Sequence, residues 1–186
     1  MRSAFDEGMS FVDRSPSFPT QGEWVILRTR SRREKCVASI LASRGVNLYV
    51  PLARRNRAYA LRLCQVEMPL FSQCVFVRVS EPYKSAFNLE GRVKQVIEVN
   101  EQKKLDYQLR NIEVAATKGA QLRSSPFVAR GMLVKVCGGL FSGLEGVVDA
   151  ASQRDRLSLQ IDVLGQAVSM EVDAAQLKPI SEGLGS

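Results

Sequence analysis

The sequence predicts an α+β protein in two parts: an α/β sandwich over a mainly antiparallel sheet, followed by a small β-barrel. Residues 23 to 117 interleave strand-like apolar runs with helical stripes, on connections too short for repeated parallel crossovers. Beyond residue 130 the rhythm changes to short alternating runs separated by turn residues, the pattern of a closed all-β unit. Between them, KGAQLRSSPFVAR is small, polar and interrupted by Pro126, as a linker would be. The expected boundaries are a leader over 1–22, a first domain over 23–118, a linker over 119–130, a barrel over 131–181 and a tail over 182–186.

The leader mixes Ser, Pro, Gly and charge without period. EWVILRT, from Glu23, is a strand-like apolar run. SRREKCVASILASRG then places Val37, Ile40, Leu41 and Arg44 at helical spacing, with Ser31 as the expected N-cap and Gly45 as the stop. VNLYVPL is a short strand ended by Pro51, and ARRNRAYALR is a basic irregular segment or hairpin. LRLCQVEM and FSQCVFVRV read as strands broken by Pro69. In the second, Phe71, Val75, Val77 and Val79 share one parity, while Ser72, Cys74, Phe76 and Arg78 share the other. A helix from about Pro82 to Leu89 is expected next, then the strand KQVIEV. A second helix follows from about Glu101 to Thr117, with Leu105, Leu109, Ile112 and Ala116 in one stripe. The barrel strands are MLVKV, EGVVDAA, LSLQIDV, QAVSMEV and QLKPI. Alternation and β-branched content in LSLQIDV and QAVSMEV argue against a helical alternative state.

Composition bounds the function. The 186 residues are 45% hydrophobic and 24% charged, the balance of a soluble globular protein. No apolar run approaches the ~20 residues that span a bilayer, so no membrane partner is expected and the cytosol is the expected compartment. Cys36, Cys64, Cys74 and Cys137 lie far apart without a Cys-x-x-Cys pair, and the chain has no histidine. Reduced thiols, mainly in or near the core, are expected, with no metal and no cofactor. The missing histidine also removes Ser-His and Cys-His nucleophiles, and no carboxylate pair stands in an acid/base setting, so no enzyme is expected. The charge is uneven: residues 1 to 130 carry 22 Lys/Arg against 12 Asp/Glu, a net +10, and the remainder carry 4 against 7, a net −3. A first domain facing a polyanion fits that split, as does a basic surface kept for solubility.

KVCGGLFSGLEGVV, residues 135–148, is explained by backbone geometry. Gly138 and Gly139 are expected to end one barrel strand in a tight turn, and Gly143 and Gly146 to flank the start of the next. A P-loop does not fit, because neither a Lys-Ser/Thr pair nor a helix follows. GMLVKVCGGLFSGLEGVV resembles the KOW motif at Gly131, Val134, Val136, Gly139, Phe141, Gly146 and Val148, so an SH3-like barrel is implied. EWVILRTRSRREKCVASILASRGVNLYVP and MPLFSQCVFVRV are similar to the NGN domain of NusG-type transcription elongation factors. The resemblance, over residues 23 to 180, implies a monomeric factor that binds the clamp helices of the largest RNA polymerase subunit. It would lie near the non-template DNA strand, suppress pausing and termination, and recruit a small-subunit ribosomal protein or Rho through its barrel. Phe71-Ser72-Gln73-Cys74 stands where general members carry Phe-Pro-Gly-Tyr. MPLF resembles instead the specialised paralogues of the RfaH, UpxY and LoaP type.

Within that frame, three groups of residues are candidates. Phe76 and Cys74 have the parity opposite to the valines, so with Trp24, Tyr49 and Phe71 they form a polymerase-facing patch if helices cover only one sheet face. If helices cover both, all are core. Arg54, Arg55, Arg57 and Arg62, with Tyr59 among them, combine cations and an aromatic as a strand-binding surface does. Lys84 and Asn88 stand within reach of the same nucleic acid; a solvated hairpin is the competing reading. Phe141, with Leu144 beside it, is either a barrel corner plug or a contact for the barrel's partner. A ribosome-associated or RNA-binding barrel protein without polymerase contact is the alternative function.

Overall fold

The computed structural model describes residues 19–59, 62–80, 87, 91–125, 127–128, 131–148 and 156–180, with the backbone alone for 55–59, 62 and 63. The expected helix over 82–89 lies outside the described residues, apart from the buried Phe87. Four strands, β1 (Glu23–Thr29), β2 (Asn47–Tyr49), β5 (Cys74–Val79) and β6 (Val93–Glu98), form an antiparallel sheet in the order β2-β5-β1-β6. Between β2 and β5, β3 (Leu52–Tyr59) and β4 (Arg62–Pro69) make a separate two-stranded hairpin.

Helix α1 (Glu34–Ser43) covers one face of the sheet. Its Val37, Ala38 and Leu41 pack with Val25, Leu27, Val75, Val77 and Val79. Ser31 does not cap it. The helix starts three residues later, after Arg33, because Arg32 takes a left-handed turn (φ 60°) first. It stops where expected, at Gly45 (φ 74°), whose N–H reaches the Ala42 carbonyl at 3.0 Å. Helix α2 (Gln102–Thr117) covers the other face, burying Leu105, Leu109, Ile112 and Ala115 against Trp24, Ile26, Cys74 and Phe76. Ala115 rather than Ala116 completes the stripe; Ala116 is half-buried. The parity read on β5 is therefore right and the coverage wrong, since both sheet faces are roofed. Phe71 departs from the valines' side. Gln73 (φ 60°) reverses the chain just before β5, and Phe71 joins Phe76 instead, ring edge to face at 5.8 Å.

The barrel sheet runs β12-β8-β9-β10-β11-β7, from β8 (Met132–Val136), β9 (Glu145–Val148), β10 (Arg156–Ile161), β11 (Gln166–Glu171) and β12 (Leu177–Pro179). Its sixth strand, β7 (Arg123–Ser125), comes from the expected linker and pairs antiparallel with β11. The turn between β8 and β9 uses positive φ at Gly139 and Gly143 but not at Gly138. Gly146 serves a different need: a Cβ there would meet the Ser158 carbonyl oxygen at 2.7 Å, so glycine lets β9 and β10 close together.

Candidate functional site

The five residues expected to face a partner are all buried, and Trp24 and Phe76 are fully so, at 0% exposure. Trp24 is tied to α2 from three sides. Its N–H donates to Gln102 Oε1 (2.6 Å), its carbonyl accepts from Gln102 Nε2 (2.8 Å), and its indole Nε1 donates to Asp106 Oδ1 (2.9 Å). Arg78 lies over the indole ring, 4.6 Å from its centroid, and pairs with the same carboxylate, which also accepts from Arg110 Nε at 2.7 Å. Burial alone would raise the Asp106 pKa. Hydrogen bonds from Arg110 and Trp24, with the charges of Arg78 and Arg110, hold it below the ordinary carboxylate value. Tyr49 lies under the same roof, its phenol pushed far above the ordinary range by burial and then by Glu113. Burial likewise raises the Cys74 thiol to about 11, Arg28 opposing and Glu34 reinforcing the rise.

The apolar cluster does not stop at α2. It runs without a break from Trp24, Tyr49 and Phe71 through Leu109 and Ile112 into Val134, Leu144, Leu159 and Val168 of the barrel. Polar contacts rim this seam. Lys104 Nζ meets Asp162 Oδ2 at 2.8 Å, Asp162 N–H donates to Gln108 Oε1 at 3.3 Å, and the Tyr107 hydroxyl donates to Glu145. From the β7 strand, Ser124 Oγ donates to the Leu70 carbonyl at 2.9 Å, one residue before Phe71. The sequence pattern does not reveal this seam. Its partners stand dozens of residues apart in the chain, and no local spacing marks them.

Of the hairpin arginines, Arg54 is exposed and pairs with Glu67 at 3.5 Å, directly across the β3–β4 register. Register places Arg55 opposite Val66, Arg57 opposite Cys64 and Tyr59 opposite Arg62; their side chains lie outside the described residues, as do Lys84 and Asn88. Leu144 is buried in the barrel core, so it is no surface contact. Phe141 is half-buried against that core and lines an open cleft of about 240 Å³ with Arg123, Arg156 and Met170. Cys64 and Cys137 are exposed rather than near the core. Among the described residues no cluster of three His, Cys, Asp or Glu could hold a metal, and no helix is long and apolar enough to cross a membrane.

Comparison with known families decides the identity of this sheet-and-helix unit. Residues 22–116 match the family described as "NusG: Transcription termination factor nusG". The chain belongs to the NusG family. Members of that family are transcription factors of the elongation phase, and no catalytic family is indicated. The matched residues contain β1 to β6 and both described helices; the barrel follows them and fits the expected KOW unit. A comparison with curated proteins finds no match. Among solved structures, "Crystal Structure of MjSpt4:Spt5 complex conformation A" is similar at 15% identity, covering 85% of this chain and 98% of that one, with a TM-score of 0.29.

Proposed function

We propose that this NusG-family chain binds the RNA polymerase clamp helices through its first domain, suppresses pausing and termination, and recruits a second partner through its barrel. The family match over residues 22–116 carries the reading. The buried sheet face modifies it. Trp24, Tyr49, Leu70, Phe71 and Phe76 all belong to one continuous cluster beneath α2 and the barrel, and at its edge Leu70 is tied to β7, the strand that pairs with β11. The polymerase contact surface is then the ground under the barrel, exposed when the rim of Lys104, Tyr107 and Gln108 contacts is released. Partly exposed polar contacts of this sort are individually weak, about 1 kcal/mol or less each, so a partner of ordinary affinity can replace them.

Pull-down with core RNA polymerase tests this. Lys104→Glu sets a second acid against Asp162 and loosens the rim, so this variant should be retained several-fold better than the parent chain and should give more run-through at terminators. Absence of retention for both proteins would remove the polymerase reading. Equal retention would leave it and remove the barrel's role as a cover. Sedimentation of the chain with ribosomes, without transcription, would favour the RNA-binding alternative.

A further inference from the structure

The segment that joins the two halves is fastened to both of them. α2 ends at Thr117 and β7 begins at Arg123. Between them Leu122 is buried in the apolar cluster that both halves share. β7 then pairs with β11, Arg123 to Ser169, Ser124 to Val168 and Ser125 to Ala167. From the middle of this ladder the Ser124 hydroxyl donates across to the Leu70 carbonyl of the first domain at 2.9 Å. Farther on the chain keeps to the barrel. The Val128 carbonyl accepts from Gln160 Nε2 at 2.9 Å, and Gly131 passes so close that a Cβ there would collide with the Val147 side chain.

β7 holds its seat poorly by itself. Arg-Ser-Ser supplies no β-branched or aromatic side chain. Arg123 and Ser124 are exposed, and Ser125 Oγ is buried without a hydrogen-bond partner among the described residues. Each backbone bond of such a strand gains about what fixing its residue costs, so a ladder of 3 residues without packed side chains does not sustain itself. What adds to it belongs to the docked arrangement: the burial of Leu122 and the bond to Leu70. β11 is the opposite case. Its Ala167, Val168, Ser169 and Met170 are all buried, and an edge of that kind, once bare, pairs readily with other extended chain.

We propose that β7 is a strap coupled to docking: it lies on β11 while the barrel sits against α2, and it peels away when the barrel leaves. The β11 edge is then bare only in the open chain. The tether changes length as well. With β7 seated, the barrel hangs from residues 118–122, a reach of about 20 Å; with the chain peeled back to Met132 the reach grows to about 50 Å. The strap goes beyond the polymerase reading and uses no partner, so either can fail while the other stands.

Two readouts on the full chain test the coupling. Hydrogen exchange of the Ala167 to Ser169 amides reports the β11 edge, and the β5 amides report global unfolding. Electron spin resonance distances between labels on the exposed thiols of Cys64 and Cys137, in a Cys36→Ser background, report the separation of hairpin and barrel. Ser124→Ala removes the bond to Leu70 and should raise exchange at the β11 edge about threefold, with more of the population at long label distances. Ser124→Thr keeps a hydroxyl and should match the parent chain. Lys104→Glu, whose contacts are to Glu101 and Asp162 and not to β7, should move both readouts in the same direction, because coupling between two sites is reciprocal. Unchanged exchange at Ala167 to Ser169 in both variants would overturn the proposal whether or not the labels part, since β7 would then be a fixed strand of the barrel. So would faster exchange with label distances unmoved, which is fraying without regard to docking. A rise shared equally by β5 would mean plain destabilisation and would count against it too.

Discussion

Gln73 carries the one left-handed backbone that this turn requires, at φ 60°, without being glycine. Its N–H is held by the buried Glu34 carboxylate, its carbonyl accepts from the Thr29 N–H at 2.9 Å, and its side chain lies a loose 3.5 Å from Lys94. A non-glycine residue in this region costs about 1 kcal/mol, so Gln73→Gly should stabilise the protein by roughly that amount. Chemical denaturation checks it; a loss of stability would mean that the Lys94 interaction outweighs the backbone strain. The departure from Phe-Pro-Gly-Tyr is thus one of sequence, while the backbone keeps the bend that glycine would make easy. Trp24 teaches a second lesson. Its burial follows from Gln102 and Asp106, nearly 80 residues along the chain, and nothing around Trp24 announces them.

At the scale of elements, most of the fold could be read from pattern. Both described helices, the sheet strands and the five barrel strands lie where period and turn residues place them, within a few residues. The roof over the second sheet face was legible too, in a signal that parity alone obscured. β5 reads CVFVRV and β1 reads EWVILRT, nearly unbroken apolar runs, which is how a strand covered on both sides is written. By contrast β7 was hidden: RSS has no strand propensity of its own, and its pairing comes from the bare edge of β11. Ser124→Pro removes a backbone donor from this strand and also the hydroxyl bond to Leu70. Hydrogen exchange of the β11 amides opposite, Ala167 to Ser169, should then rise about tenfold; unchanged protection would show that β7 does not guard that edge.

For the whole molecule, ionisation bears on the polar rim of the seam. Glu145 is held below its ordinary carboxylate pKa, first by the Tyr107 hydroxyl, while Lys104 is raised, first by its hydrogen bond to Asp162. A depressed acid favours docking above its free value and loses that support as pH falls; a raised base favours docking below its free value and loses it as pH rises. Burial, then the bond to Glu145, raises the Tyr107 phenol as well, so ionising it also opposes docking. The polar rim should therefore lose part of its hold as pH falls below about 4 and as it rises past 10.5, while the shared apolar interior remains. Small-angle scattering across that range gives the test, with a constant radius of gyration as the contrary result.

One interior serves both halves, and this constrains whatever opens them. Parting the barrel from α2 would lay hydrocarbon bare to solvent on each side at once, which opposes thermal opening. An agent that holds the chain apart must bring grease of its own to lay against the wetted surfaces. A partner that opened this molecule would recognise it in the same step.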